Sequence, residues 1–100
     1  MLTAKARVKF TVEGKDYDAH DRFDVAFRFA ENLLFSGRIK GSVPEYKSGE
    51  EYAVDVAFFT IDNEESYNMV KPTLSDGTRF VMCAGSRIMG DAVMDSFTYA

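Results

Sequence analysis

Thr3-Ala4-Lys5-Ala6-Arg7-Val8-Lys9-Phe10-Thr11-Val12 alternates small or apolar residues with polar ones without a break. Ala4, Ala6, Val8, Phe10 and Val12 form one set; Thr3, Lys5, Arg7, Lys9 and Thr11 form the other. Successive side chains of a strand point to opposite faces, so a period of two predicts a strand with one face buried and one in water. A helix would scatter both sets around its circumference. Glu13-Gly14-Lys15-Asp16 ends the alternation, and a polar loop continues to about Arg22.

The same period recurs outward from this segment. Phe23, Val25, Phe27 and Phe29 alternate with Asp24, Ala26, Arg28 and Ala30. Leu33, Phe35 and Ile39 oppose Leu34, Ser36, Arg38 and Lys40, with Gly37 read as a bulge or bend. Val43-Pro44 ends that strand, Lys47-Ser48-Gly49-Glu50 makes a turn, and Tyr52, Val54, Val56 and Phe58 mark the next strand. Asp62-Asn63-Glu64-Glu65 reads as an acidic loop tip, Met69-Val70 as resumed extended chain, and Ser75-Asp76-Gly77 as a turn. Beyond it come a strand over 79–83, a turn at Ala84-Gly85-Ser86, a short strand over 87–89, a kink at Gly90-Asp91 and a closing strand over 93–99. A helix over 27–35 is disfavoured by its β-favouring aromatics. Six or seven short strands at this spacing predict an all-β barrel or sandwich.

One hundred residues make a single domain, residues 1–100, and nine Phe with five Tyr supply its core. Cys83 is the only cysteine, so no internal disulfide forms. The first residues lead into the alternating strand rather than into an apolar leader, and no stretch approaches the roughly 18 apolar residues of a membrane span. These features predict a cytoplasmic protein with no membrane association. Twelve basic against sixteen acidic residues leave a net charge of −4, which weighs against broad nucleic-acid binding.

The chemistry-bearing residues form no catalytic constellation. No G-x-x-x-x-G-K-[ST] loop is present, so no nucleotide is expected. Asp16, Asp18, His20 and Asp21 share a loop, as do Asp62, Glu64 and Glu65, but neither spacing fits a calcium loop; both read as solvated acidic loops, with no metal and no cofactor. Cys83 could serve as a nucleophile only with His20, on a distant segment, so a small hydrolytic enzyme using Cys83 is the weaker reading. The expectation is a binding module, not an enzyme. Its aromatics belong to the apolar faces rather than to a base-stacking platform. Arg79 and Arg87 are its best basic pair.

The last third of the chain carries a family resemblance. Val70-Lys71-Pro72, then Asp76-Gly77-Thr78-Arg79-Phe80, then Gly85-Ser86-Arg87-Ile88-Met89-Gly90-Asp91-Ala92-Val93, resembles the closing segment of elongation factor Tu. That family reads K-P, G-x-R-F and G-x-R-x-x-G-x-x-V in this order. Gly37-Arg38-Ile39 with Val43-Pro44, Ser48-Gly49-Glu50, and Arg22-Phe23 with Phe27-Arg28-Phe29 extend the similarity across almost the whole chain, as the factor's third, C-terminal barrel. The resemblance implies a closed six-stranded antiparallel barrel of that translation-factor type. With the alternation, it predicts an interior of Val8, Phe10, Phe27, Ile39, Val54, Val56, Phe80 and Val93.

In the family this barrel helps hold the T-arm of aminoacyl-tRNA, packs on the GTPase domain and touches the exchange factor. The resemblance puts Lys71 in the place of a lysine near tRNA phosphate and Gly85 in that of a glycine whose backbone approaches the T-arm. Arg79 matches an arginine at the GTPase-domain interface. Cys83 and Ala84 replace an arginine and a glutamate that contact RNA, and Phe23-Asp24-Val25 replaces a polar R-P-Q stretch. With most of that charged grip replaced, a protein partner is expected ahead of RNA. The expected docking surface is Lys71, Arg79, Gly85 and Arg87.

Overall fold

Residues 1–18 and 23–100 are described by the structure, a computed structural model. The long strands are β1 (Leu2–Phe10), β3 (Phe23–Ala30), β4 (Leu33–Lys40), β6 (Glu51–Phe58), β7 (Thr78–Ala84) and β8 (Arg87–Tyr99). Two short strands, β2 (Tyr17–Asp18) and β5 (Glu45–Tyr46), pair with each other. The six long strands close into an antiparallel barrel in the order β1-β6-β4-β3-β7-β8, with β8 returning to β1. Closure leaves none of the six long strands with a free edge, which suits strands that each have one apolar face.

The alternation places most of the core as expected. Val8, Phe10, Phe27, Ile39, Val54, Val56 and Phe80 are buried. Val93 is not: Ala92 and Met94 fill the barrel, while Val93 stands on the outer face opposite Arg7 and Arg79. Three consecutive apolar residues carry no alternation, so the neighbouring strands decide which point inward. Val12 is another departure; it lies beyond the end of β1 and is 37% exposed.

The predicted short strand, kink and closing strand are one continuous β8, bent rather than broken. Its register slips once against β7, where Met82 faces Gly90 but Cys83 faces Ile88, and once against β1, where Lys5 faces Ser96 but Ala6 faces Met94. Met89 and Asp95 are the extra residues. Each such bulge shifts the side-chain phase and sharpens the bend a closed barrel needs. The second slip turns Phe97 toward the core after Met94. Gly90 permits a close approach: a Cβ there would run into the Lys9 carbonyl oxygen. Gly37 makes no bulge; its register is regular, and it leaves space for the Phe27 ring and Val56.

Each end of the barrel is plugged. At the Phe10 end, Tyr17 and Tyr46 bring their rings within 4.9 and 5.4 Å of Phe10, with Phe23 5.6 Å from Phe10. At the Leu2 end sits a helix, α1 (Glu64–Val70), followed by one 3-10 turn over Lys71–Thr73. Glu64 and Glu65 of the Asp62–Glu65 loop tip and the extended Met69-Val70 of the sequence reading are therefore helical, while Asp62 and Asn63 stay outside the helix. Asn63 caps the helix by accepting the Ser66 N–H at 2.8 Å, and Glu64 and Glu65 favour its positive end. Val70 at the end of the helix and Ile61 before it are fully buried, and Tyr67 stacks on Tyr99 at 4.0 Å. No helix among the described residues is long and apolar enough to cross a membrane.

Candidate functional site

The four residues expected to share a surface are divided between the two ends of the barrel. Gly85, with φ +61°, makes the tight β7–β8 turn, and Arg87 opens β8 beside it, opposite Ala84. Arg79 lies near the start of β7, five residues from Ala84 and so about 17 Å away along the strand. It pairs with Asp91 at 3.3 Å. Lys71 follows α1, at the end where Tyr67 meets Tyr99. Lys71 and the Gly85 turn thus stand at opposite poles.

The turn end keeps half of the expected surface and adds to it. A depression of about 150 Å³ is lined by Val12, Lys15, Tyr17, Arg87, Ile88 and Met89, with Ala84. Ile88 is 57% exposed, because the register slip at Met89 leaves it on the outer face. Val12 adds a second exposed apolar side chain. Both charged groups on the rim are cations; the Lys15 ammonium lies 5.5 Å from the centre of the Tyr17 ring. The sequence named Arg87 and Gly85 for this surface but not Ile88 or Val12, and the alternation of the first strand puts Val12 with the apolar set.

A second region lies on the outer wall where β4 leaves β6. These strands pair only through Arg38–Ala57, Ile39–Val56 and Lys40–Asp55, after which the chain departs at Gly41. Two adjoining depressions, about 380 and 660 Å³, share Lys5, Lys40, Asp55 and Ser96 as walls. Lys5 pairs with Asp55 at 3.0 Å, and Arg7 with Asp95 at 2.9 Å. Arg38 engages Asp24 through Nε at 2.9 Å and lies 4.9 Å from the Phe59 ring centre. Hydrogen bonding to these carboxylates raises the pKa of both Arg7 and Arg38 above the ordinary value.

Behind this wall, the Tyr46 hydroxyl is buried without a hydrogen-bond partner among the described residues. Burial, with the charge interaction of the neighbouring Tyr52 phenol, pushes its pKa up. An unmet buried hydroxyl costs about 1–3 kcal/mol. Tyr52, by contrast, is satisfied: its oxygen accepts the Lys47 N–H at 2.8 Å and donates to Glu50 at 2.9 Å. The Lys47 bond lowers the Tyr52 pKa, but burial and the Glu50 carboxylate outweigh it and the net shift is upward.

Cys83 is buried on β7, its sulfur 3.9 Å from Arg28 Nη2. His20 and Asp21, the other members of the Cys83–His20 pair and of the acidic loop, lie outside the described residues, as does Arg22. Asp16 of that loop accepts the Ser48 backbone N–H at 3.1 Å, tying the loop to the turn before β6. Among the described residues, no group of three or more His, Cys, Asp and Glu side chains is placed to hold a metal. No protein-family model matches the chain, and no curated protein matches it.

Proposed function

We propose that this chain is a non-catalytic interaction module of the cytoplasm, on the plan of the elongation-factor-Tu C-terminal barrel. Its partner is a protein that docks at the β7–β8 turn. The observation that carries this reading is the exposed apolar pair Val12 and Ile88, set in a depression whose charged rim is Lys15 and Arg87. An apolar centre ringed by cations in a chain of net charge −4 suits a partner segment with an apolar anchor and flanking carboxylates. Protein is favoured over RNA because the residues before Gly85 are a buried thiol and an alanine, and because Lys71 stands at the other pole. A phosphate-tracking surface needs its cations contiguous.

The test is affinity capture from the source cell with the native chain and the Ile88→Asp and Arg87→Ala variants in parallel. Loss of one partner in both variants, with thermal stability unchanged, supports the reading. Identical recovery with all three baits, or no recovery, overturns it. A salt-sensitive tRNA gel shift that Lys71→Ala weakens would install the RNA reading in its place.

A further inference from the structure

The β7–β8 turn asks for an apolar anchor flanked by carboxylates, and the opposite pole of the same barrel carries that combination. Met69 of α1 is 53% exposed, although Val70 beside it is buried. Glu65 stands four residues before Met69, on the same face of the helix, and Glu64 adjoins it. Among the described residues neither carboxylate has an ion pair, whereas Asp62, just before the helix, is held by the Met1 amine at 3.2 Å. Lys71 is the one cation of the 62–71 segment, against three carboxylates. Tyr99, stacked on Tyr67 of α1, and Met1 add exposed apolar surface at this end.

The turn pole has the same chemistry with the charge reversed. Val12 and Ile88 are its exposed apolar pair, and Lys15 and Arg87 have no ion pair among the described residues. Glu13 and Asp16 share the Lys15 loop, but neither lines the depression, and Asp16 is turned to the Ser48 N–H. At about 150 Å³ the depression takes one side chain rather than a small molecule. Methionine suits it, being unbranched, flexible and well matched to aliphatic groups and to the edge of a ring such as Tyr17.

We propose that the protein docking at the β7–β8 turn is a second copy of this chain, whose Met69 enters the depression beside Ile88 while Glu64 and Glu65 meet Lys15 and Arg87. This rests on the docking reading above and names its partner. The two surfaces lie at opposite poles, so the contact is heterologous and two molecules cannot close it on each other. Copies therefore add head to tail. The patches are small and a net charge of −4 opposes self-contact, so the association belongs to the weak, transient class.

Sedimentation equilibrium of the whole chain from about 10 μM to about 1 mM tests this. The expected result is a weight-average mass that climbs with concentration and passes the dimer value. Met69→Asp and Ile88→Asp should each weaken association at least about tenfold, the scale of losing a central anchor. Both side chains are more than half exposed, and an otherwise native amide NMR spectrum checks that each variant folds. Each variant keeps the pole that the other has lost, so their mixture should associate, but only as far as a single pair. Arg87→Glu should weaken association likewise, and adding Glu65→Lys to the same chain should recover part of it. A constant monomer mass over the whole range overturns the inference. So does association that Met69→Asp leaves unchanged, or a mixture of the two variants that stays monomeric. In those cases a foreign protein captured by the native chain and lost with Ile88→Asp keeps the docking reading standing; a monomeric chain without such capture removes both.

Discussion

Two parts of the barrel wall are held by different forces. Around β1 the backbone ladders are long: β8 pairs with it from Leu2–Tyr99 to Phe10–Gly90, and β6 from Leu2–Phe58 to Lys9–Glu51. The β3–β4 hairpin joins the rest through two short seams. One is Ala26–Cys83, Phe27–Met82 and Arg28–Val81; the other is Arg38–Ala57, Ile39–Val56 and Lys40–Asp55. What attaches the hairpin is its side chains. Phe27 sits 5.3 Å from Phe58, and Phe29 lies 5.3 Å from Phe58 and 5.0 Å from Phe80. Backbone pairing thus closes one half of the barrel and aromatic packing the other.

The largest test of this contrast is Phe27→Ala. The ring is fully buried, so its loss should cost about 3–5 kcal/mol in denaturant unfolding. Amide exchange should rise first in β3 and β4, while β1 stays protected. Uniform loss of protection would break the distinction, since the hairpin would then share one cooperative unit with the ladders.

Gly90→Ala probes the ladder side. Its new Cβ meets the Lys9 carbonyl oxygen and Phe10 Cα, backbone atoms that cannot turn aside. Gly37→Ala, on the hairpin side, meets the Phe27 ring and Val56 Cγ1, each at 2.7 Å. Overpacking of this kind costs about 1–3 kcal/mol. Gly90→Ala should be the more damaging, and its exchange effect should centre on β1 and β8. Thermal midpoints of the two variants check the order; a greater loss from Gly37→Ala would mean that the aromatic side has less room than the ladder.

The smallest effect concerns Tyr46 and Tyr52, near the second seam. Both phenols are raised above the ordinary tyrosine value. A raised folded pKa leaves their contribution intact below the unfolded value of about 10 and removes it as pH climbs through the folded values. Absorbance at the phenolate band should show part of the five-tyrosine signal titrating late, with stability falling above pH ~10. A single titration at the ordinary value would mean that Tyr46 is reached by water. That result would also weaken the case for an unmet hydroxyl on Tyr46.

The all-β class, the positions of most strands and most of the interior were legible in the residues alone. In β1, β3 and β6 the period of two is a local property, and Val8, Phe27 and Val56 declare their face without reference to any neighbour. Where the local signal fails, the partner strands decided. Ala92-Val93-Met94 offers three apolar residues in a row, and only pairing with Arg7 and Arg79 turns Val93 outward. Ile88 is exposed because a bulge beside it resets the phase, and a bulge arises from the mismatch of two strands rather than from one. The helix over 64–70 was hidden because Met69-Val70 is too short to show a period, although its Asn63 cap and first-turn acids were written in plain sequence. The sites depended most on tertiary structure. Arg79 and Arg87 look adjacent in the chain, but a strand is extended and carries them to different ends. Gly41 and Tyr46 meet only through tertiary structure, where the Tyr46 hydroxyl occupies the space that a side chain at position 41 would take.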